Sequence, residues 1–175
     1  VEQELGYYER YLDWVEQDEA VPAARRAQQW LRDHLPDTCG RTPVLAWGDA
    51  RIGNIVFDDA LAPAAILDWE MATLGDPELD VAWTLFMDHH HTRLGGVERL
   101  PGLPSREATV QRYEQATGRR LEHLDYYELL GAFRFAIIWA RLAVLFKQWG
   151  LLEPDARMAQ EGPACQIIDE LLETR

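Results

Sequence analysis

From Leu129 to Phe146 the chain is apolar on nearly every side and carries charge only at Arg134 and Arg141. A stretch of that length could span a bilayer, but each arginine would cost roughly 2.5–3.5 kcal/mol at the centre of the hydrocarbon. The better reading is a helix in the middle of a protein core, with the other elements packed around it. Its two arginines are seven residues apart and share a face. Because isolated buried charge is prohibitive, each is expected to meet a carboxylate or to emerge at the surface. A chain of 175 residues is long enough to enclose such an element, since a domain of this size buries roughly 70% of the surface its unfolded chain exposes.

The segments before it split into two kinds. Leu5, Tyr8, Leu12 and Val15 recur at helical spacing, which predicts an amphipathic helix from Glu2 to about Gln17. Pro22 can open a second helix that runs to His34 and turns Trp30 and Leu31 toward a core, with Arg25 and Arg26 on a solvated face. From Pro43 the character changes to short apolar runs separated by turn residues: VLAWGD, NIVFDD and APAAILDWE. These predict short strands, and the DDALAP reversal joins two of them, around Asn54–Phe57 and Ala64–Asp68, into a hairpin. Asp76-Pro77 then starts a helix carrying Leu79, Trp83, Leu85 and Phe86. A looser region follows from Leu94, and Ser105 caps a helix to about Thr117. Long helices near Leu124–Trp149 and Asp155–Leu172 finish the chain. The expected fold class is mainly α with a small antiparallel β insert, organised as one lobe over 1–175 with a β-rich segment at about 43–70.

Charge and cysteine usage narrow the function. Lys and Arg total 17 against 30 Asp and Glu, a net charge of −13 that repels phosphate backbones and anionic lipid. Neither a nucleic acid nor a membrane is an expected partner. Cys39 and Cys165 are too few for a disulfide framework and lack the paired spacing of a zinc site, so they read as unpaired thiols in a reducing cytoplasm. No export signal is visible in the acidic, aromatic opening VEQELGYYERYL.

Chemistry concentrates in Trp47-Gly48-Asp49-Ala50-Arg51-Ile52-Gly53-Asn54, followed by Asp68-Trp69-Glu70 and by Gly75-Asp76-Pro77 with Asp80 beyond. A loop carboxylate can accept a hydroxyl proton, while an amide oxygen and a second carboxylate from a neighbouring hairpin can share a hard cation such as Mg²⁺. Phosphoryl transfer needs little more than alignment of the acceptor oxygen and neutralisation of charge on the phosphoryl oxygens.

On these residues the chain resembles the C-terminal lobe of the aminoglycoside phosphotransferase family, within the protein-kinase-like superfamily. It looks most similar to the branch associated with acyl-CoA dehydrogenases. Gly48, Asp49 and Asn54 match the family's catalytic loop, and Asp68 in ILDWEMATLGDPELD matches its later metal-binding acid. The resemblance implies that Asp49 orients the acceptor hydroxyl and takes its proton, and that Asn54 and Asp68 hold magnesium on the phosphates of ATP or GTP. It also implies that Asp80 anchors the catalytic loop through backbone amides. Arg51 either contacts the transferring phosphate or pairs with Asp76 or Glu78. Trp47 stands where the family usually has His, and an indole donates a hydrogen bond but accepts none. Residues before Pro43 read as helices and supply no glycine-rich strand pair or strand lysine, so the N-terminal nucleotide lobe is expected to lie outside this chain. The implied activity is transfer of a γ-phosphoryl group to a small-molecule hydroxyl, with that lobe in cis or a dimer partner completing the site. The alternative is a non-catalytic binding or assembly module built from the same lobe.

Two further clusters carry less. His89-His90-His91 invites a zinc reading, but adjacent histidines do not converge, so exposed imidazoles near a helix C-terminus are expected. Trp83, Trp139 and Trp149 could line a groove, although aromatic residues at helical spacing are expected to fill a core.

Overall fold

The computed structural model describes residues 1–38, 40–95, 99 and 101–175, with backbone alone at 93–95. Its elements are α1 (Glu2–Val15), α2 (Pro22–Asp33), β1 (Val44–Ala46), β2 (Ile55–Phe57), β3 (Pro63–Ile66), β4 (Thr73–Gly75), α3 (Glu78–Gly95), α4 (Arg106–Thr117), α5 (Leu124–Gln148), α6 (Met158–Glu161) and α7 (Pro163–Glu173). They form two compact units, Val1–Asp37 with Leu129–Arg175, and Thr38–Glu128.

In the first unit the apolar positions of α1, namely Leu5, Tyr8, Leu12 and Val15, are all buried. Pro22 occupies the first turn of α2, where its missing N–H would have had no helical partner. The buried face of α2 is Ala23, Ala24, Ala27 and Leu31, whereas Trp30 is only half-buried and stacks on His34. Arg25 and Arg26 stay partly exposed but are paired, Arg25 with Asp13 and Glu16, Arg26 with Asp169 of α7. On α5, Arg134 is 2% exposed, 3.8 Å from Glu4 and 5.0 Å from the centre of the Tyr8 ring. Arg141 is partly exposed and lies over Trp14 at 4.4 Å. Each arginine thus satisfies the condition that burial imposes on it.

The expected last helix is in fact two. Gly162 takes an extended conformation between α6 and α7, and Pro163, lacking an N–H, restarts the helix. A side chain at 162 would put its Cβ 2.8 Å from the Trp139 ring, so glycine is needed for that close approach. Cys165 is buried, and desolvation pushes its thiol up to about 11; Cys39 lies outside the described residues. Trp139 is half-buried and Trp149 is 64% exposed, which corrects the core reading for the latter.

The second unit holds the β insert. β2 and β3 pair antiparallel, Ile55 with Ile66 and Val56 with Ala65, as the hairpin reading requires. The reversal is an Asp turn, in which Asp58 Oδ1 accepts from the amides of Ala60 and Ala62. β1 pairs with β4, Leu45 opposite Leu74. The sequence gives β4 no signal of its own, because three residues are too few to show a period. Ser105 Oγ caps α4 by accepting from the amide of Ala108.

In α3 the three histidines do not behave alike. His89 and His91 are exposed, but His90 is 1% exposed, with its ring 5.7 Å from Phe86. Burial, helped by His91 and His89, lowers this imidazole from 6.5 to about 4. The unfolded chain takes up the proton near pH 6.5 and the folded one resists it until about 4. Stability present above 6.5 is therefore lost as pH falls through that window, by an amount on the order of 3 kcal/mol. Urea unfolding of the parent and of His90→Gln from neutral pH down to about 4 should show a steeper loss in the parent; parallel curves would remove His90 from the pH dependence.

Candidate active site

β1 delivers the chain to a loop that is fixed from two sides. The backbone amides of Trp47 and Gly48 donate to Oδ2 and Oδ1 of Asp80, at 2.7 and 2.8 Å, so one carboxylate in the first turn of α3 holds two consecutive peptides. From the other side, Trp47 Nε1 donates to the carbonyls of Leu67 and Asp68, at 2.8 and 3.0 Å. Its indole therefore works as a donor, the only hydrogen-bonding role open to it. Gly48 sits at φ +91°, and a Cβ there would lie 2.1 Å from the carbonyl oxygen of Met71. No other residue fits.

The loop presents Asp49 almost fully buried. Its Oδ1 accepts from Trp83 Nε1 at 2.7 Å, and its Oδ2 accepts from Asn54 Nδ2 at 2.7 Å and from Arg51 Nε at 2.9 Å. Asn54 closes a 3-10 turn over Ile52–Asn54 and also donates to the Asp49 carbonyl. Three of the sequence-derived residues, Asp49, Arg51 and Asn54, thus form one hydrogen-bonded cluster. Asp68 is joined to it through the backbone: the amide of Leu67 donates to the Asn54 carbonyl at 2.9 Å, and Asp68 follows with φ +62° and an exposed side chain. Asn54 spends its NH₂ on Asp49 and keeps its amide oxygen, a hard donor of the kind Mg²⁺ takes, as is the exposed Asp68 carboxylate.

Arg51 pairs with the candidate base and with neither Asp76 nor Glu78. Those two acids are taken by Arg41, at 2.7 and 3.1 Å. Glu78 is fully buried, and its carboxylate also accepts the amides of Glu122 and His123, tying the start of α3 to the chain entering α5. Burial raises its pKa against the lowering effect of the His123 amide and Arg41.

Sequence reasoning placed Trp83 in the core, where it is, but missed its contact with Asp49. The signal was present: a buried indole N–H seeks an acceptor, and Trp83 follows Asp80 by one helical turn, on the face turned to the loop. A cavity of about 500 Å³ opens beside the cluster, lined by Arg51, Ile52, Thr84, Met87, His91 and Leu103 among others. Among the described residues, no group of three or more His, Cys, Asp or Glu side chains is placed to hold a metal ion.

The helical fold with short antiparallel strands is that of the C-terminal lobe of the protein-kinase-like fold. The chain belongs to the phosphotransferase enzyme family known as APH, whose model matches residues 2–97. Acyl-CoA dehydrogenase family member 10 of Mus musculus is 32% identical over 168 residues, covering 87% of this chain and 15% of that protein. Acyl-CoA dehydrogenase family member 11 of Homo sapiens is 30% identical over 145 residues, covering 75% and 18%. This chain therefore spans less than a fifth of the length of these relatives. Among solved structures, a Ralstonia eutropha protein named "putative aminoglycoside phosphotransferase" superposes with a TM-score of 0.79 at 23% identity, over 99% of this chain and 55% of that one. Macrolide 2'-phosphotransferase type I gives a TM-score of 0.57 at 22% identity, over 91% and 48%.

Proposed function

We propose that this chain is the acceptor- and metal-binding lobe of an enzyme that transfers the γ-phosphoryl group of ATP or GTP to a hydroxyl of a small molecule, with a nucleotide lobe in cis. The observation that carries the reading is the buried Asp49 carboxylate, bonded to Asn54 at 2.7 Å on a loop whose amides are held by Asp80. In this reading Asp49 accepts the hydroxyl proton, and Asn54 Oδ1 and Asp68 hold magnesium. Bound there, magnesium would neutralise charge on the nucleotide phosphates. Arg51 borders the cavity while its Nε donates to Asp49, and in this reading its terminal nitrogens can meet the transferring phosphate. The cavity walls are largely apolar, and their two guanidinium groups are already paired, Arg51 with Asp49 and Arg99 with Asp88, which suits an acceptor with apolar bulk. A cytoplasmic location fits the buried Cys165 thiol.

A second reading, an assembly module, draws on one feature. Leu45 and Leu74 face each other across β1 and β4 and are 62% and 75% exposed, while Leu61 at the hairpin tip is 80% exposed. Apolar groups gathered on one small insert call for a cover, which a nucleotide lobe or another protein could supply.

The deciding experiment incubates the protein, with its nucleotide lobe, with MgATP and a panel of hydroxyl compounds and follows phosphomonoester formation by ³¹P NMR. Transfer that requires magnesium and is lost in Asp68→Asn supports the enzyme. Nucleotide binding without any transfer to an acceptor or to water favours the assembly module.

A further inference from the structure

The two oxygens of Asp49 are not equivalent. A carboxylate oxygen accepts about two hydrogen bonds. Oδ2 already receives two, from Asn54 Nδ2 and Arg51 Nε, whereas Oδ1 receives one from the indole N–H of Trp83 at 2.7 Å. Oδ1 is thus the oxygen with a lone pair to spare. Trp83 is 2% exposed, its ring lies 5.8 Å from that of Phe86, and it stands one turn along α3 from Asp80, the residue that anchors the same loop. The indole on one oxygen and the Asn54 amide on the other fix the plane of the carboxylate, because rotation about its terminal bond would break both contacts.

We infer that Trp83 is a positioning residue for the base, holding Asp49 so that Oδ1 faces the incoming hydroxyl. This rests on the phosphotransferase reading above. The acceptor O–H bond breaks with its proton passing to Oδ1, and the electron pair it leaves on oxygen forms the new bond to the γ-phosphorus. The bond from that phosphorus to the bridging oxygen breaks, its pair departing on the nucleoside diphosphate. Trp83 touches neither the acceptor nor the nucleotide; it acts only through its bond to Asp49 Oδ1. It does so by keeping one lone pair aimed and by excluding water from the other side of Oδ1, so its loss should reduce turnover and leave nucleotide affinity alone.

The test has two arms. In the first, the chain is labelled with ¹⁵N at tryptophan, and the Trp83 indole signal is identified by its disappearance in Trp83→Phe, which keeps an aromatic ring in the core. That signal should show a downfield N–H proton and slow solvent exchange, and both features should relax in Asp49→Asn while the indoles far from the loop hold still. A Trp83 signal indifferent to Asp49→Asn overturns the inference whatever the activity. In the second arm, hydrolysis of MgATP to ADP, with water as the acceptor, is measured in the protein carrying its nucleotide lobe. Trp83→Phe should lower kcat roughly ten- to a hundredfold, as expected for one lost hydrogen bond to a charged group, with KM for MgATP within about twofold of the parent. A kcat equal to the parent's overturns it, as does a loss confined to KM. A parent that turns over no nucleotide removes the phosphotransferase reading and the catalytic half of this inference together, while the indole arm still decides the contact.

Discussion

Asp49→Asn is expected to lower kcat for phosphoryl transfer by roughly a hundred- to ten-thousandfold, the range that a positioned general base supplies, with KM for the nucleotide nearly unchanged. The change removes the proton acceptor and disturbs its surroundings in a way the structure makes explicit. Trp83, Asn54 and Arg51 all donate to this side chain. An asparagine amide in either orientation turns its NH₂ toward one of those donors, so at least one contact is replaced by two hydrogens facing each other. Thermal unfolding separates the two effects. A variant that keeps most of its Tm while losing turnover assigns the loss to proton acceptance, and near-parental turnover would remove Asp49 from the chemistry.

Among the described glycines, Gly48→Ala should be the most damaging addition of a single methyl group. The backbone there is left-handed, at φ +91°, which costs an L-residue about 1–2 kcal/mol before any contact is counted. The added Cβ would also meet the Met71 carbonyl carbon at 2.5 Å and its oxygen at 2.1 Å. Both are backbone atoms and cannot swing aside, so the loop or the segment around Met71 must move. The amides of Trp47 and Gly48 would then leave Asp80, giving a total loss of about 4 kcal/mol or more. Chemical denaturation measures the stability, and loss of the Asp49 contact from the Trp83 indole spectrum would report the shift of the loop. Parental stability in this variant would contradict the described backbone.

Much of this architecture was legible because period and punctuation agreed. The four buried positions of α1, the Pro22 start of α2, the Ser105 cap and the β2–β3 hairpin each follow from local rules that tertiary contacts did not override. Where reading failed, the causes differ. The last helix breaks at Gly162-Pro163, a local signal that was passed over, while the close approach of Trp139, which requires glycine there, is not visible in the chain order. His90 is buried and its two neighbours are not, a distinction set by which side of α3 is covered. At the site, the chain order drew attention to the cluster of Asp49, Asn54, Asp68 and Asp80, and the roles expected of them came from the family resemblance. The partner of Arg51 and the role of the Trp83 N–H depend on where α3 lies against the loop, which spacing alone does not encode.

One helix face carries several duties at once. Along α3, Asp80, Trp83 and Thr84, Met87 and His91 follow at intervals of three and four residues, passing from the loop anchor through the Asp49 contact to the cavity wall. In the phosphotransferase reading, a single rigid rod therefore gauges both where the reaction would happen and what may enter. Natural drift in acceptor preference along this face should carry a toll in speed, since a slide of the rod that widens the chamber also detunes the chemistry. The wall around Leu103 offers no escape from this, because Arg99 bonds both Asp88 of the rod and the carbonyls of Leu103 and Pro104, so changes there would be felt along it as well.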